Sequence, residues 1–123
     1  MKSSHDGVKA YVTKDGSEIR ELMHPAVQGN RNQSLAEATV HPGQSTALHR
    51  HKLSEEIYHF TRGSGRMRLG AEVFPVRAGD TVAIPPGTAH SVENTGAEVM
   101  TILCACSPAY AHEDTELLAG DPA

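Results

Sequence analysis

No apolar run in the 123-residue chain approaches the length of a membrane span. The opening Met1-Lys2-Ser3-Ser4-His5-Asp6 leads into polar sequence rather than the apolar core of a secretory signal, so a cytoplasmic location is expected. An excess of basic residues is also missing. Eleven Lys and Arg against fifteen Asp and Glu give a formal charge of -4, and the pI is near 6.0. Such a surface offers no general attraction to phosphate backbones or anionic lipid, which argues against nucleic-acid and membrane partners. The local cluster Arg62, Arg66 and Arg68 is offset by Glu72 and an acidic tail, and reads as the solvated face of a hairpin. Only two cysteines occur, Cys104 and Cys106, without the Cys-x-x-Cys spacing of a redox or zinc pair. Same-face neighbours on one extended strand lie near the upper limit of disulfide geometry, so both are expected as buried, reduced, core-packing thiols. Internal repeats and low-complexity segments are absent. A chain of this length suits one domain, able to bury roughly two thirds of its unfolded surface.

Helical periodicity is nearly absent too. Short extended runs recur between turn signals, the pattern of an all-β sandwich or barrel. Strands are expected over Lys9 to Thr13, Glu18 to Leu22, Ser34 to Val40, Ser45 to His51, Glu56 to Arg62, Gly65 to Leu69, Glu72 to Val76, Thr81 to Ile84, His90 to Asn94 and Glu98 to Cys104. Turns fall at Lys14-Asp15-Gly16, 27–32, His41-Pro42-Gly43, Gly63-Ser64-Gly65, Leu69-Gly70-Ala71, 77–80, Pro85-Pro86-Gly87 and Asn94-Thr95-Gly96. Pro85 and Pro86 cannot donate to a sheet ladder, so the strand before them must stop and hand over to a rigid turn that delivers His90. The expected organisation is an N-terminal arm and strands over 1–33, a barrel over 34–107 and a tail over 108–123, all within one structural domain.

On a strand, His49 and His51 point the same way, which makes a pincer for a cation. A His-x-His pair alone is weak evidence; the frame around it is specific. Gly43 is followed after five residues by His49, then His51, then after four residues Glu56, and after six more Gly63. Downstream, Gly79 is followed after five residues by Pro85, then Gly87, then after two residues His90, and after three more Asn94. This paired spacing resembles the two signature motifs of the cupin superfamily, with every defining position occupied. The resemblance implies a single jelly-roll β-barrel, a small monocupin, with His49, His51, Glu56 and His90 around one divalent ion. Glu55 is the alternative carboxylate. The glycine spacing favours Glu56, and strand parity turns the two to opposite faces. Imidazole and carboxylate donors suit manganese and iron(II), which are favoured, and also nickel, zinc, cobalt or copper.

Parity also suggests what surrounds the ion. If Glu56 points inward, Tyr58 and Phe60 share its face while Ile57, His59 and Thr61 lie outside, so His59 is not expected to ligate. Met67 is expected to face inward, and Met100, Ile102, Cys104 and Cys106 to form one wall. The candidate pocket is thus Tyr58, Phe60 and Met67 in a mainly apolar cavity, with core filling the competing role for Tyr58 and Phe60. The other histidines are weak candidates: His5 in a terminus expected to be disordered, His24 and His41 before prolines in turns, and His112 in the tail. Leu117-Leu118 is expected to dock on the barrel or a second subunit, or else to be solvated. By resemblance a homodimer is expected.

Four protein ligands leave a six-coordinate ion two open positions, the layout of a reactive centre. The resemblance implies a non-haem metalloenzyme, of dioxygenase, decarboxylase or isomerase type, acting on a small chelating molecule. Glu56 would ligate and take a proton. The competing reading is a non-catalytic module that binds a small molecule or sugar. The fold itself hosts many chemistries.

Overall fold

The computed structural model describes residues 1–118. The chain folds into two antiparallel sheets packed face to face. The first has six strands: β1 (Tyr11–Val12), β2 (Glu18–Met23), β3 (Ser34–Val40), β5 (Glu55–Arg62), β8 (Thr81–Ile84) and β10 (Met100–Ser107), in the order β1-β2-β3-β10-β5-β8. The second has five: β4 (His49–His51), β6 (Ser64–Leu69), β7 (Glu72–Arg77), β9 (His90–Glu93) and β11 (Thr115–Leu117), in the order β11-β4-β9-β6-β7. Consecutive strands thus cross repeatedly from one sheet to the other, as in a jelly roll, and the all-β expectation holds. The tail expected over 108–123 continues past residue 118, outside the described residues.

The sequence makes this sandwich because its strands alternate cleanly. In β3 the even-numbered residues from Ser34 to Val40 are buried, and in β10 the same parity buries Met100, Ile102, Cys104 and Cys106. In β5, Glu56, Tyr58 and Phe60 face the interior while Ile57 is exposed. Phe60, Met67, Ile84, Val92, Met100 and Ile102 form the dry centre between the sheets. Both cysteines are buried free thiols, as expected. Arg62 and Arg66 lie outside, paired with Glu98 at 3.6 Å and Glu93 at 2.6 Å.

Several segments differ from the sequence expectation, each for an identifiable reason. The Ser45 to His51 strand shrinks to His49–His51, with Ser45 making only an isolated bridge to Glu93. Here the chain is pinned by single bonds instead of a ladder: Thr46 N donates to Val92 O and Ala47 N to Asp15 O. A short helix α1 (Pro25–Gln28) sits in what reads as turn, with Pro25 at its start and the ring of His24 accepting from Ala26 N as a cap. The amino terminus is ordered, not disordered. His5 lies in a 3-10 turn and its Nε2 is 2.7 Å from a Glu37 carboxylate oxygen. Residues Thr115–Leu117 add β11 to the edge of β4, so the tail docks on the barrel of its own chain.

Asn94 does more than start a turn. Its side chain is buried; Nδ2 donates to Val40 O and Glu98 O, each at 2.9 Å, and Oδ1 accepts from Gly96 N at 3.0 Å. Asn94→Ala would strand two carbonyls and an amide, so chemical denaturation should show a loss of about 2–3 kcal/mol with an unchanged m-value. A loss below about 0.5 kcal/mol would mean water replaces these bonds.

Candidate metal centre

The fold brings the two distant motifs together. His49 and His90 are direct cross-strand partners on β4 and β9, and their ring centroids lie 4.2 Å apart. One ligating atom from each of His49, His51 and His90 falls within 4.8 Å of the other two, and all three side chains are buried. Glu56 arrives from β5 of the opposite sheet. Its Oε1 is 3.1 Å from Nε2 of His51 and 3.4 Å from Nε2 of His90. Glu55 is exposed on the outer face, as strand parity requires.

Outer contacts orient each ring. Nδ1 of His49 lies 2.7 Å from Ala47 O and Nδ1 of His90 lies 2.9 Å from Thr88 O. Carbonyls only accept, so these nitrogens carry the protons. Nδ1 of His51 is 3.0 Å from the Thr115 hydroxyl, which itself donates to Ala111 O at 3.1 Å and so accepts from the ring. All three Nε2 lone pairs therefore face the same space, a tautomer choice typical of metal-binding histidines. Glu56 is held in the same way. Burial pushes the Cys106 thiol far up, which keeps it protonated, and its Sγ donates to Glu56 Oε2 at 3.1 Å, leaving Oε1 turned to the imidazoles.

The buried Glu56 Oε1 and His90 Nε2 have no hydrogen-bond partner. A carboxylate oxygen and imidazole lone pairs are all acceptors and cannot satisfy one another; a shared cation can. The residues present therefore fit a divalent ion. Without an ion, these groups can pair only where an imidazole takes up a second proton. Burial alone would raise Glu56, but the facing imidazoles of His51 and His90 hold it down to about 2. His51 is lowered by burial, yet Glu56 outweighs that and raises it. Burial, then His90, push His49 down.

A cavity of about 50 Å³ opens beside these groups. Of the side chains expected to line it, Tyr58 does; Phe60 and Met67 are fully buried in the core centre and do not. They share the inward face but take no part in the cavity lining. The lining is also less apolar than expected, because Asp15 and Glu21 from the first hairpin and Tyr110 from the tail join it. Asp15 Oδ2 is 3.5 Å from His49 Nε2, while its Oδ1 accepts from the Thr13 hydroxyl at 2.7 Å and from Ser17 N at 2.9 Å and Oγ at 2.6 Å. Sequence reasoning missed Asp15 because Lys14-Asp15-Gly16 reads completely as a turn. The flanking Thr13 and Ser17, which lock the carboxylate, were the available signal. His59 binds Thr81 outside, His24 and His41 contact Tyr110 O and Glu18, and none of these three lines the cavity.

This two-sheet sandwich with a buried histidine cluster between its layers belongs to the cupin family; the Cupin domain model matches residues 36–106. An uncharacterized protein of Methanocaldococcus jannaschii is 52% identical over 118 residues, covering 96% of this chain and 94% of that protein. Among solved structures, a predicted oxalate decarboxylase from Thermotoga maritima superposes with a TM-score of 0.76 at 25% identity, covering 88% of this chain and 99% of that one. Streptomyces Pac13, a nucleoside dehydratase, superposes with a TM-score of 0.77 at 19% identity over 96% of this chain and 90% of its own, a likeness of fold.

Proposed function

We propose that this chain is a metal-dependent cupin in which His49, His51, Glu56 and His90 hold one divalent ion, manganese or iron(II) ahead of the alternatives, and that it acts as a non-haem metalloenzyme on a small chelating molecule. The observation that carries the reading is the pair of unpartnered buried acceptors, Glu56 Oε1 and His90 Nε2, facing each other at 3.4 Å. A bound ion would supply Lewis-acid polarisation of a coordinated oxygen. The chain's own residues do the rest. Ala47 and Thr88 carbonyls and the Thr115 hydroxyl fix the rings, Cys106 fixes the carboxylate, and Asp15, locked by Thr13 and Ser17, stands ready beside the cluster to take a proton. A homodimer in the cytoplasm is the accompanying proposal; no described helix is long and apolar enough to cross a membrane.

The test is protein purified anaerobically without affinity-column metal, with metal content, oxygen uptake and turnover measured against a panel of small chelating acids, sugars and catechols. Turnover that tracks metal content and disappears in both His49→Ala and His90→Ala supports the enzyme. Tight binding without turnover supports a binding module instead, and undiminished turnover after metal removal ends the metal reading. Proton competition gives a second check. Imidazoles ligate in their neutral form, so ion affinity should fall as pH drops through about 6.5 and below. His51, raised by Glu56, regains its proton before His49, which burial lowers. Occupancy against a competing chelator that stays flat into strong acid would contradict the three-histidine set.

A further inference from the structure

The lining of the cavity bears on what it accepts. Three of its side chains are carboxylates, Asp15, Glu21 and Glu56, and among the described residues that line it none is lysine or arginine. Glu56 Oε2 is taken by Cys106 while its Oε1 faces the imidazoles where the proposed ion would lie, and Asp15 Oδ1 is taken by its own turn. Glu21 is different. Its Oε2 accepts from the Tyr11 hydroxyl at 3.3 Å, but Oε1 is buried with no hydrogen-bond partner. An acceptor left bare in this way is normally answered by a ligand or water. Tyr110 lies on the same wall, its backbone carbonyl held at 2.7 Å by His24 Nε2.

A divalent ion would offset only two of the three carboxylates, so a free dicarboxylate entering the chamber would meet Glu21 and Asp15 with no cationic side chain to receive its second charge. Buried like charges without partners are costly. Hydroxyl groups meet the opposite situation: they donate to Glu21 Oε1 and Asp15 Oδ2 and bring no charge that needs a cationic partner. An ammonium ligand would set a second cation against the ion. We propose that Glu21 and Asp15 make this cavity selective for an uncharged, hydroxyl-bearing ligand of the hydroxycarbonyl or vicinal diol type, and that Glu21 is the residue that rejects free dicarboxylates. This deepens the metalloenzyme reading and rests on it for the ion, whereas the selectivity rests on the lining.

The experiment titrates metal-quantified protein with dihydroxyacetone and, separately, with oxalate, following NMR shifts and heat, for the wild type and Glu21→Gln. The preserved shape of glutamine separates charge from packing, and thermal unfolding of the variant confirms that it folds. We expect Glu21→Gln to weaken dihydroxyacetone several-fold and to tighten oxalate about tenfold, since it removes the repelling charge and adds an N–H donor. Oxalate affinity that is unchanged or reduced in Glu21→Gln overturns the proposal, as does the absence of dihydroxyacetone binding to metal-loaded wild type. Metal content distinguishes the two layers. Protein that holds no ion yet shows the Glu21-dependent reversal refutes the metal reading and keeps the selectivity; protein that holds its ion without the reversal does the opposite.

Discussion

His90→Ala should lower bound divalent metal from about one ion per chain to below about a tenth, measured by elemental analysis after dialysis against a weak chelator. His90 sits at the centre of the cluster. Its ring is fully buried, it pairs directly with His49 across the ladder, and its unpartnered Nε2 faces Glu56. Alanine removes one donor of four, the ring that Thr88 O orients toward Glu56. Stability should report the same loss. An ion at about a hundredfold over its Kd stabilises the folded state by about 2.7 kcal/mol, which for a chain of this size raises Tm by roughly 8–12 °C. That metal-dependent rise should vanish in His90→Ala. Glu56→Gln should weaken the ion strongly, while Glu55→Gln, on the exposed face, should leave both stoichiometry and the rise in Tm unchanged. A full complement of metal in His90→Ala would place the ion elsewhere.

Gly65→Ala is expected to cost about 3 kcal/mol or more, a large fraction of the roughly 5–15 kcal/mol that holds a domain together. A Cβ built on Gly65 would lie 2.1 Å from the carbonyl oxygen of Glu93 and 2.6 Å from the Met100 methyl. The first of these atoms is backbone, so relief requires β6 and β9 to part. Those strands are paired from Arg66–Glu93 to Leu69–His90, and the same displacement would reach His90. Gly65→Ala should therefore lose metal affinity as well as stability. Gly79→Ala is the control: its φ of +99° carries strain, but nothing lies within 4 Å, so a loss of about 1–2 kcal/mol without a change in metal binding is expected. Equal losses in the two variants would show that backbone strain, not the close approach of strands, governs Gly65.

Most of the sandwich was readable because half-buried strands advertise their period. The alternation in Ser34–Val40 and in Met100–Ser107 left little freedom about which side faced in, and the glycines and prolines punctuated the rest. The cluster of His49, His51, Glu56 and His90 was legible from the spacing of the motif pair. The missing parts are those with no local signature. β11 is three residues paired to an edge, too short to show a period. Asp15 and Glu21 are ordinary in their own hairpin and become part of a cavity wall only once β2 is placed beside β3. Phe60 and Met67 share the inward parity of the site, but parity fixes a face, not a depth.

The threonine that orients His51 stands 64 residues after it, on the strand that closes over β4. During synthesis all four proposed ligands emerge from the ribosome before that hydroxyl does. A nascent chain at residue 107 thus owns the donors but not the brace that selects the reactive nitrogen of His51. The orientation of His51 is completed by a late-arriving edge, and so waits on the folding of a segment outside both motifs.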